Sequence, residues 1–297
     1  MRKSFVFFGI LALAFAARAQ TQTSTVADGD WNDPSVWKNS VIPDSDAYYA
    51  DILNDVSLSD SITLSNIWMK SDSSITFAEG GLLTLGGSAS DYSSNGASFV
   101  FMGGRLATSQ FLNSKAGLST TFVFGGMDSG GAFKSAVARS MDSTSRLQFH
   151  SGSSLNFNVG GKNFVSSKAS GLDVNALVYT TGELQLMQGV FLMDFSNVSL
   201  DDLRSAGISE DGTYYVALIS FGITYKTVGG DEFNPVLDPA SADGPYASFA
   251  GFEWGNGTSR TNNTLYAAVN VQVPEASSCA SVFAALAFAF AVWRRRG

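Results

Sequence analysis

Short apolar runs, each closed by turn residues, dominate the middle of the chain. Stretches of three or four strand-forming residues end at Gly, Ser or Asp, and no long segment shows the 3.6-residue period of an amphipathic helix. The pattern predicts an all-β protein built from short strands. The clearest predicted strands lie at residues 62–64, 75–77, 82–85, 99–101 and 122–124.

A loose repeat runs through these strands. The sequence Phe-Val-Phe-Met-Gly-Gly at residues 99–104 recurs as Phe-Val-Phe-Gly-Gly-Met at residues 122–127, an offset of 23 residues, and Leu-Gln-Phe at 147–149 follows 25 residues later. A period in the low twenties with glycine corners predicts a parallel β-solenoid (β-helix), in which each coil buries its inward side chains against the next. An antiparallel sandwich or jelly roll, whose strands recur every roughly 8–12 residues, is the alternative.

The alternation lengthens after about residue 182, and this change predicts an antiparallel sheet. The longer runs lie at residues 184–187, 190–195, 213–219, 248–254 and 264–273. A short helix is predicted over residues 199–206, with Ser199 as its N-cap and two aspartates in its first turn. A loop rich in Gly, Asp and Pro is predicted over residues 228–246.

The first residues have the pattern of a secretory signal peptide. Positive charge at Arg2 and Lys3 precedes an apolar stretch, which ends in the small-residue site formed by Ala17 and Ala19. We expect cleavage after Ala19. An N-terminal membrane anchor is the alternative, but the apolar stretch is short for a bilayer that requires about 20 apolar residues.

A second apolar run occupies residues 276–293 and predicts a transmembrane helix. At about 1.5 Å per residue, its 18 residues are only just long enough to cross a hydrocarbon core of about 30 Å. The arginines that follow would stay on the cytoplasmic side, so residues 20–275 would lie outside the cytoplasm. The sequence thus predicts one exported body held by a C-terminal helix.

A Pro-Glu pair, a single apolar helix and a terminal arginine cluster together resemble the PEP-CTERM sorting signal of exosortase substrates. Ala276 stands where that pattern has a second proline. The resemblance implies that a membrane-embedded exosortase recognises the tail and releases or transfers the protein, in bacteria that make extracellular polysaccharide and biofilm matrix. A plain tail anchor is the alternative. The expected sorting residues are Pro274, Glu275, Arg294, Arg295 and Arg296.

Two tryptophans open the body after the predicted cleavage site. Trp31 and Trp37, followed by Pro43 and Asp46, resemble the entry segment of autotransporter-like β-helix proteins, in which this segment caps the first coil. The residues themselves agree, because large aromatics beside a proline turn are suited to cover an exposed end. Stacking of the two tryptophans on sugars is the alternative.

Charge and cysteine content restrict the classes of partner. Residues 20–275 hold all 26 Asp and Glu but 12 of the 18 Lys and Arg, because the other six lie in the two end segments, so the body carries a net charge of −14. An acidic body argues against nucleic acid and anionic membranes as partners. The single cysteine, Cys279, lies in the apolar tail, so the body has no disulfides. We expect Cys279 to serve as a small apolar residue of the tail helix.

No catalytic motif is visible in the body. His150 is the only histidine and follows a predicted strand, which indicates a turn residue. Paired carboxylates could serve a glycosidase, but those present lie in predicted loops or at a helix start. Asp44, Asp46 and Asp51 could bind calcium, yet they belong to no EF-hand loop or nonapeptide repeat. The acid pairs are Asp28 and Asp30, Asp44 and Asp46, Asp201 and Asp202, and Asp231 and Glu232.

These observations predict four segments and a function without catalysis. The segments are a signal peptide (1–19), a β-solenoid with a Trp-rich N-terminal cap (20–176), an antiparallel β cap (177–273) and a sorting tail with a transmembrane helix (274–297). We expect a cell-surface or extracellular-matrix structural protein without cofactor or metal, which passes through the inner membrane. Its expected partners are signal peptidase, exosortase and extracellular polysaccharide. A secreted protein that binds or cleaves polysaccharide is the alternative.

Overall fold

The computed structural model describes residues 20–86, 96–109, 111–113, 119–150, 152–186, 190–223, 225–226, 235–256 and 261–274. The predicted signal peptide, the apolar run at 276–293 and the terminal arginines lie outside these residues. Mostly β-structure with parallel sheets makes up the described chain, which confirms the predicted all-β class. Of the helices in these ranges, none combines the length and the apolar character needed to cross a membrane.

The strands are short. The first of them begins at Thr21, so one residue separates it from the predicted cleavage after Ala19. The first thirteen are β1 (Thr21–Ser24), β2 (Gly29–Asp30), β3 (Tyr48–Ile52), β4 (Val56–Leu58), β5 (Ser61–Leu64), β6 (Asn66–Met69), β7 (Ser74–Phe77), β8 (Leu82–Leu85), β9 (Ala97–Phe101), β10 (Arg105–Thr108), β11 (Phe111–Asn113), β12 (Thr120–Phe124) and β13 (Gly126–Met127).

The remaining strands include the three longest of those described. In chain order, the remaining strands are β14 (Phe133–Lys134), β15 (Met141–Ser143), β16 (Arg146–Phe149), β17 (Ser153–Asn158), β18 (Phe164–Val165), β19 (Val178–Thr180), β20 (Glu183–Leu186), β21 (Val190–Asp194), β22 (Gly212–Phe221), β23 (Tyr225–Lys226), β24 (Val236–Leu237), β25 (Ala247–Trp254) and β26 (Asn263–Val271). The three longest are β22, β25 and β26. Within the described ranges, one α-helix, α1 (Leu200–Ser205), and three 3-10 turns (Pro34–Val36, Lys38–Ser40 and Gly161–Asn163) complete the elements.

Four sheets carry most of the pairing. The first sheet has the order β1-β3-β6, the long sheet β2-β4-β7-β9-β12-β17-β21-β24, and the four-stranded sheet β11-β16-β20-β23, and all three are parallel. The mixed sheet runs β25-β26-β22-β19-β15-β10-β8-β5 and is parallel from β5 to β22. Strands β13 and β14 form a separate two-stranded hairpin.

The chain passes from the long sheet to the mixed sheet and then to the four-stranded sheet before it returns. Strands β12, β15 and β16 follow this order, as do β17, β19 and β20, and then β21, β22 and β23. Each strand pairs with the one that occupied the same sheet a circuit earlier. Consecutive circuits therefore lie on top of one another, about 4.8 Å apart.

The predicted repeat of 23 residues is present as a hydrogen-bonded register. Phe99 pairs with Phe122, and Phe101 pairs with Phe124. The placement of residues 147–149 as the next repeat is wrong, because Phe122 pairs with Leu155 in the long sheet. Residues 147–149 lie in β16 of the four-stranded sheet instead. Residues 147–149 resemble the earlier repeats in composition, but they belong to a different sheet of the same circuit.

The in-register pairing stacks phenylalanine rings through the core. Phe77, Phe101, Phe124 and Phe157 occupy one row of the long sheet, with successive ring centroids 4.8, 5.1 and 5.0 Å apart and nearly parallel planes. All four side chains are fully buried. The centroid spacing equals the spacing between strands, so each ring stacks on the ring of the next circuit without leaving its own strand.

The predicted antiparallel sheet is only partly correct. β20 pairs in parallel with β16 and β23, and β21 pairs in parallel with β17 and β24, so the prediction is wrong for residues 184–195. Parallel pairing thus continues across the predicted boundary at residues 176 and 177. Antiparallel pairing does join β22 to β26 and β26 to β25. Strands β25 and β26 correspond to the last two predicted strands, at 248–254 and 264–273. Alternation reports which face of a strand is buried but not the direction of its partner.

Segments inserted between the long and mixed sheets explain why the repeat fades. Four residues join β7 to β8, whereas residues 125–140 join β12 to β15 and residues 159–177 join β17 to β19. The next such segment, 195–211, contains α1, which confirms the predicted helix at 199–206. The Ser199 hydroxyl accepts a hydrogen bond from the Asp202 backbone N–H at 3.1 Å, as an N-cap does.

The first test of this architecture concerns the phenylalanine stack. We expect Phe124→Ala to lower the free energy of unfolding by about 3–5 kcal/mol, because it leaves a cavity between two rings. The control, Val123→Ala, shortens the neighbouring half-buried outward side chain and should cost less than about 1 kcal/mol. Urea unfolding of the full chain in mild detergent, followed by circular dichroism, measures both. Equal costs would contradict the stack as a main source of stability.

The second test concerns the tight corner between β19 and β20. A Cβ on Gly182 would lie 1.4 Å from the carbonyl oxygen of Ser145 in the circuit below. Gly182→Ala must therefore separate two backbones, and we expect a loss of at least about 2 kcal/mol. Gly212→Ala is the matched control, because its nearest neighbour is a Tyr214 side-chain atom at 3.6 Å. Unchanged stability of the Gly182 variant would show that this corner is not closely packed.

Candidate functional site

The predicted sorting residues lie almost entirely outside the described residues. Pro274 is described and follows β26 by three residues. Glu275, the three arginines, the cleavage-site residues Ala17 and Ala19, and Cys279 lie outside. The structure therefore leaves the predictions made for these residues as they stand.

The predicted acid pairs are engaged in local structure where they are described. Asp28 accepts a hydrogen bond from the Asp55 backbone N–H at 3.0 Å, and Asp30 accepts one from the Asn32 N–H at 2.8 Å. Asp202 accepts a hydrogen bond from the Ser199 hydroxyl at 2.7 Å. These are the turn and cap roles that short acidic side chains favour. Asp231 and Glu232 lie outside the described residues.

The calcium alternative has no geometric support. Asp44 and Asp46 lie in the turn before β3, whereas Asp51 lies within that strand. Among the residues that the structure describes, no group of three or more His, Cys, Asp or Glu side chains could hold a metal ion. The three aspartates are therefore not brought together as ligands.

His150 lies where the sequence predicts it. It directly follows β16, is half-buried, and its carbonyl oxygen accepts a hydrogen bond from the Ser153 backbone N–H at 3.1 Å. That bond closes a tight turn between the four-stranded and long sheets. The position agrees with the predicted role of a turn residue.

The two N-terminal tryptophans are core residues. Trp31 is 0% exposed and Trp37 is 1% exposed, and their rings meet edge to face with centroids 4.8 Å apart. The Trp37 indole N–H donates to the Trp31 carbonyl at 2.7 Å, and the Trp31 N–H donates to the Pro43 carbonyl at 3.1 Å. Neither ring is open to a ligand, so the sugar-stacking interpretation is wrong for this pair.

An exposed tryptophan instead lies on the outer face of the first sheet. The alternation of β6 turns Ile67 and Met69 inward, where both are 0% exposed, and turns Trp68 outward, where it stays 36% exposed. Asp51 pairs with Trp68 on the adjacent strand, so both side chains project from the same face. The outward residues considered together are Gln22, Tyr49, Asp51, Trp68 and Lys70, hereafter the Trp68 patch.

Polar contacts tie the Trp68 patch together across three strands. The Gln22 side-chain amide donates to Asp51 Oδ2 at 3.0 Å, and the Lys70 ammonium lies 3.6 Å from the same oxygen. The Lys70 Nζ also lies 3.5 Å from the centroid of the Trp68 ring, a cation–π contact. Burial raises the pKa of Tyr49, and the neighbouring Asp51 carboxylate raises it further, so the phenol stays protonated.

One atom of the patch is unsatisfied. Asp51 Oδ1 is shielded from solvent and accepts no hydrogen bond from any residue that the structure describes. An unpaired carboxylate oxygen at such a position costs about 1–3 kcal/mol or more. The patch therefore retains a strong acceptor beside an aromatic ring.

A second polar cluster is fully internal. The Tyr266 hydroxyl donates to Asp173 Oδ2 at 2.7 Å and accepts a hydrogen bond from the Ala169 backbone N–H at 3.0 Å. The Asp173 backbone N–H lies within 3.2 Å of the hydroxyls of Ser220 and Thr264. Burial raises the pKa of Tyr266, and Asp173 raises it further. The cluster fixes the inserted segment 159–177 against β22 and β26.

Sequence reasoning missed both clusters for different reasons. The Trp68 patch could have been found, because Ile67 and Met69 on either side of Trp68 already indicate which way that ring points. The internal cluster could not, since Asp173 and Tyr266 are 93 residues apart and meet only through the fold.

Neither protein-family models, nor curated proteins, nor solved structures provide a match to this chain. What the chain does must therefore be argued from its own residues.

The internal cluster supplies a test of its structural role. Tyr266→Phe removes the hydroxyl that pairs with Asp173 and Ala169, and we expect it to lower the free energy of unfolding by about 1–3 kcal/mol. Tyr214→Phe is the matched control, because that hydroxyl donates to the exposed Glu210 carbonyl at 3.1 Å and water can replace it. Thermal unfolding compares the two. A larger loss in the Tyr214 variant would contradict this assignment.

Proposed function

We propose that this chain is an exported structural protein of the cell surface or extracellular matrix, that it is not an enzyme, and that an exosortase-type system sorts it. The observation that carries the proposal is the continuous parallel stack of circuits with a packed interior. The buried side chains of this body form a regular core, and the polar groups described so far serve turns, caps and internal contacts, apart from those of the Trp68 patch. Such a body is suited to act as a rigid element of an extracellular layer.

The body is proposed to be a parallel β-solenoid closed by antiparallel strands. In-register parallel pairing from β4 to β24 in the long sheet supports the solenoid. The antiparallel strands β26 and β25 follow β22 and end the mixed sheet. The buried pair Trp31 and Trp37 lies at the opposite end, beside β2, which agrees with a cap. Capping protects the open ends of such a stack from edge pairing.

The two ends of the chain support export. Residues 1–19 have the charge, apolar run and small-residue site that signal peptidase requires. Residues 274–297 combine Pro-Glu, an apolar run proposed to be a transmembrane helix, and three arginines. We propose that signal peptidase cuts after Ala19 and that exosortase acts on the tail near the membrane.

A polysaccharide-binding protein is the second candidate, and the exposed Trp68 favours it. Polysaccharide cleavage gains no similar support. Asp28, Asp30 and Asp202 accept local hydrogen bonds in turns and at a helix cap, and these contacts account for their carboxylates without catalysis.

Cell fractionation and intact-mass measurement test the sorting proposal. In a host that contains an exosortase, we expect the wild-type protein to lose residues 1–19 and its C-terminal tail, and to leave the inner membrane. Replacing Arg294, Arg295 and Arg296 together with Ala should keep the protein in the membrane fraction with its tail intact, because the recognised charge is gone. Arg204→Ala, an exposed arginine on α1, is the control and should be processed normally.

One outcome would overturn the proposal. If the wild-type protein in its final location still ends at Gly297, the tail is a plain anchor and the sorting function is wrong. A host without exosortase provides the matching negative condition. There the protein should stay in the membrane fraction with the intact mass of residues Gln20 to Gly297.

A further inference from the structure

We propose that the Trp68 patch binds an uncharged polysaccharide chain. This inference deepens the proposed function, because it names a partner for the exported body, and it rests on that function only for the compartment in which the two meet. The evidence is the combination of an exposed aromatic ring, hydrogen-bonding side chains in register around it, and a carboxylate that two donors of the same face contact.

The first step is the exposure of Trp68. Every other tryptophan that the structure describes is buried or partly buried, and Trp31 and Trp37 are at most 1% exposed. Trp68 stays 36% exposed on a strand whose inward positions are already filled by Ile67 and Met69. The core therefore does not need this ring. A smaller polar residue at position 68 would keep the strand and expose less apolar surface.

The second step is that the face of the ring is accessible to a polar group. The Lys70 ammonium lies over the indole at 3.5 Å from the ring centroid while the lysine side chain itself is 30% exposed. That face of the indole is covered by a flexible lysine side chain and not by backbone, so a sugar ring that displaces the ammonium would stack its C–H face there. Aromatic rings in binding sites supply apolar contact of this kind, and a few polar groups fix the orientation of the ligand.

The third step is the set of hydrogen-bonding groups beside the ring. Gln22 offers an amide, Lys70 an ammonium and Tyr49 a phenol, whereas Asp51 offers acceptor oxygens. The pairing of β1 with β3 and of β3 with β6 sets these side chains on three adjacent strands, about 10 Å across. Asp51 Oδ2 already faces the Gln22 amide and the Lys70 ammonium, and a sugar hydroxyl would compete with these two donors for that oxygen.

The fourth step selects an uncharged polymer. Within the patch, Lys70 and Asp51 offset each other as an ion pair. The body around it carries 26 acidic and 12 basic residues between residues 20 and 275, because six of the 18 basic residues lie in the end segments. That excess of negative charge repels acidic polysaccharides and nucleic acids. A neutral polysaccharide is not repelled in this way, and it can contact both the ring and the hydrogen-bonding groups.

Affinity electrophoresis of the full chain in mild detergent tests the proposal. The gels contain either a neutral polysaccharide (dextran, laminarin or galactomannan) or an acidic one (alginate). We expect retardation by at least one neutral polymer and none by alginate. Trp68→Ala should weaken binding to that neutral polymer by at least about tenfold, and Trp68→Phe by less, because a smaller ring still stacks. Asp51→Asn should weaken binding several-fold because it removes the charged acceptor.

The control is Ile223→Ala, which shortens a side chain that is 60% exposed elsewhere on the body and should leave binding unchanged. Circular dichroism verifies that each variant keeps its fold, and Trp68→Phe keeps the test informative if Trp68→Ala unfolds. The proposal is overturned if no neutral polymer retards the chain, if alginate alone does, or if a folded Trp68→Ala variant binds as wild type. Should Trp68→Ala unfold, wild-type binding by both Trp68→Phe and Asp51→Asn overturns it.

Two further results separate this inference from its competitors. If Trp68→Ala changes the oligomeric state measured by light scattering and not the retardation, the patch is a contact between copies and the inference is wrong. Sugar binding by the purified chain does not depend on tail processing. If the protein binds sugar but keeps Gly297 in cells, only the proposed sorting is wrong. If it is processed but does not bind sugar, only the inference about the Trp68 patch is wrong.

Discussion

The in-register parallel hydrogen bonding between successive circuits is the constraint on which the rest of the structure depends. Once Phe99 pairs with Phe122 and Phe101 with Phe124, each buried position faces its equivalent one circuit away. Identical side chains then stack with the spacing of the strands, as the ring centroids about 5 Å apart show. A change of register by one residue would turn the whole row to solvent. The stacked core and the register therefore maintain each other.

The same constraint explains which parts of the fold could be predicted. The strands at 99–101 and 122–124 were predictable, because their composition repeats at an offset of 23 residues. The later circuits were not, since the offset rises from 23 residues to 33 between Phe122 and Leu155. Composition then no longer identifies the partner, and the direction of the strands at 184–195 was predicted wrongly for that reason. Alternation identified the inward residues of strands such as β9, β12 and β17 but carried no information about pairing.

Polar groups in this protein divide by whether the fold itself satisfies them. The cluster of Tyr266, Asp173 and Thr264 is closed, with short contacts inside the protein, and its members come from distant segments that the sequence alone could not bring together. The Trp68 patch is local, formed by three strands within the first fifty residues of the body, and its outward direction follows from alternation. Asp51 distinguishes the two clusters, since one of its oxygens has no partner among the described residues.

Two of the three corners of each circuit differ in how much added sequence they tolerate. Between the mixed and four-stranded sheets, two residues join β15 to β16 and two join β19 to β20, and Gly182 leaves no room there. Between the long and mixed sheets, the connection grows from four residues after β7 to the segments at 125–140, 159–177 and 195–211. Loop closure costs little for added length, so that corner is where the lineage of this protein could add sequence without disturbing the stack. It is also the position at which a foreign peptide could be displayed on the folded body.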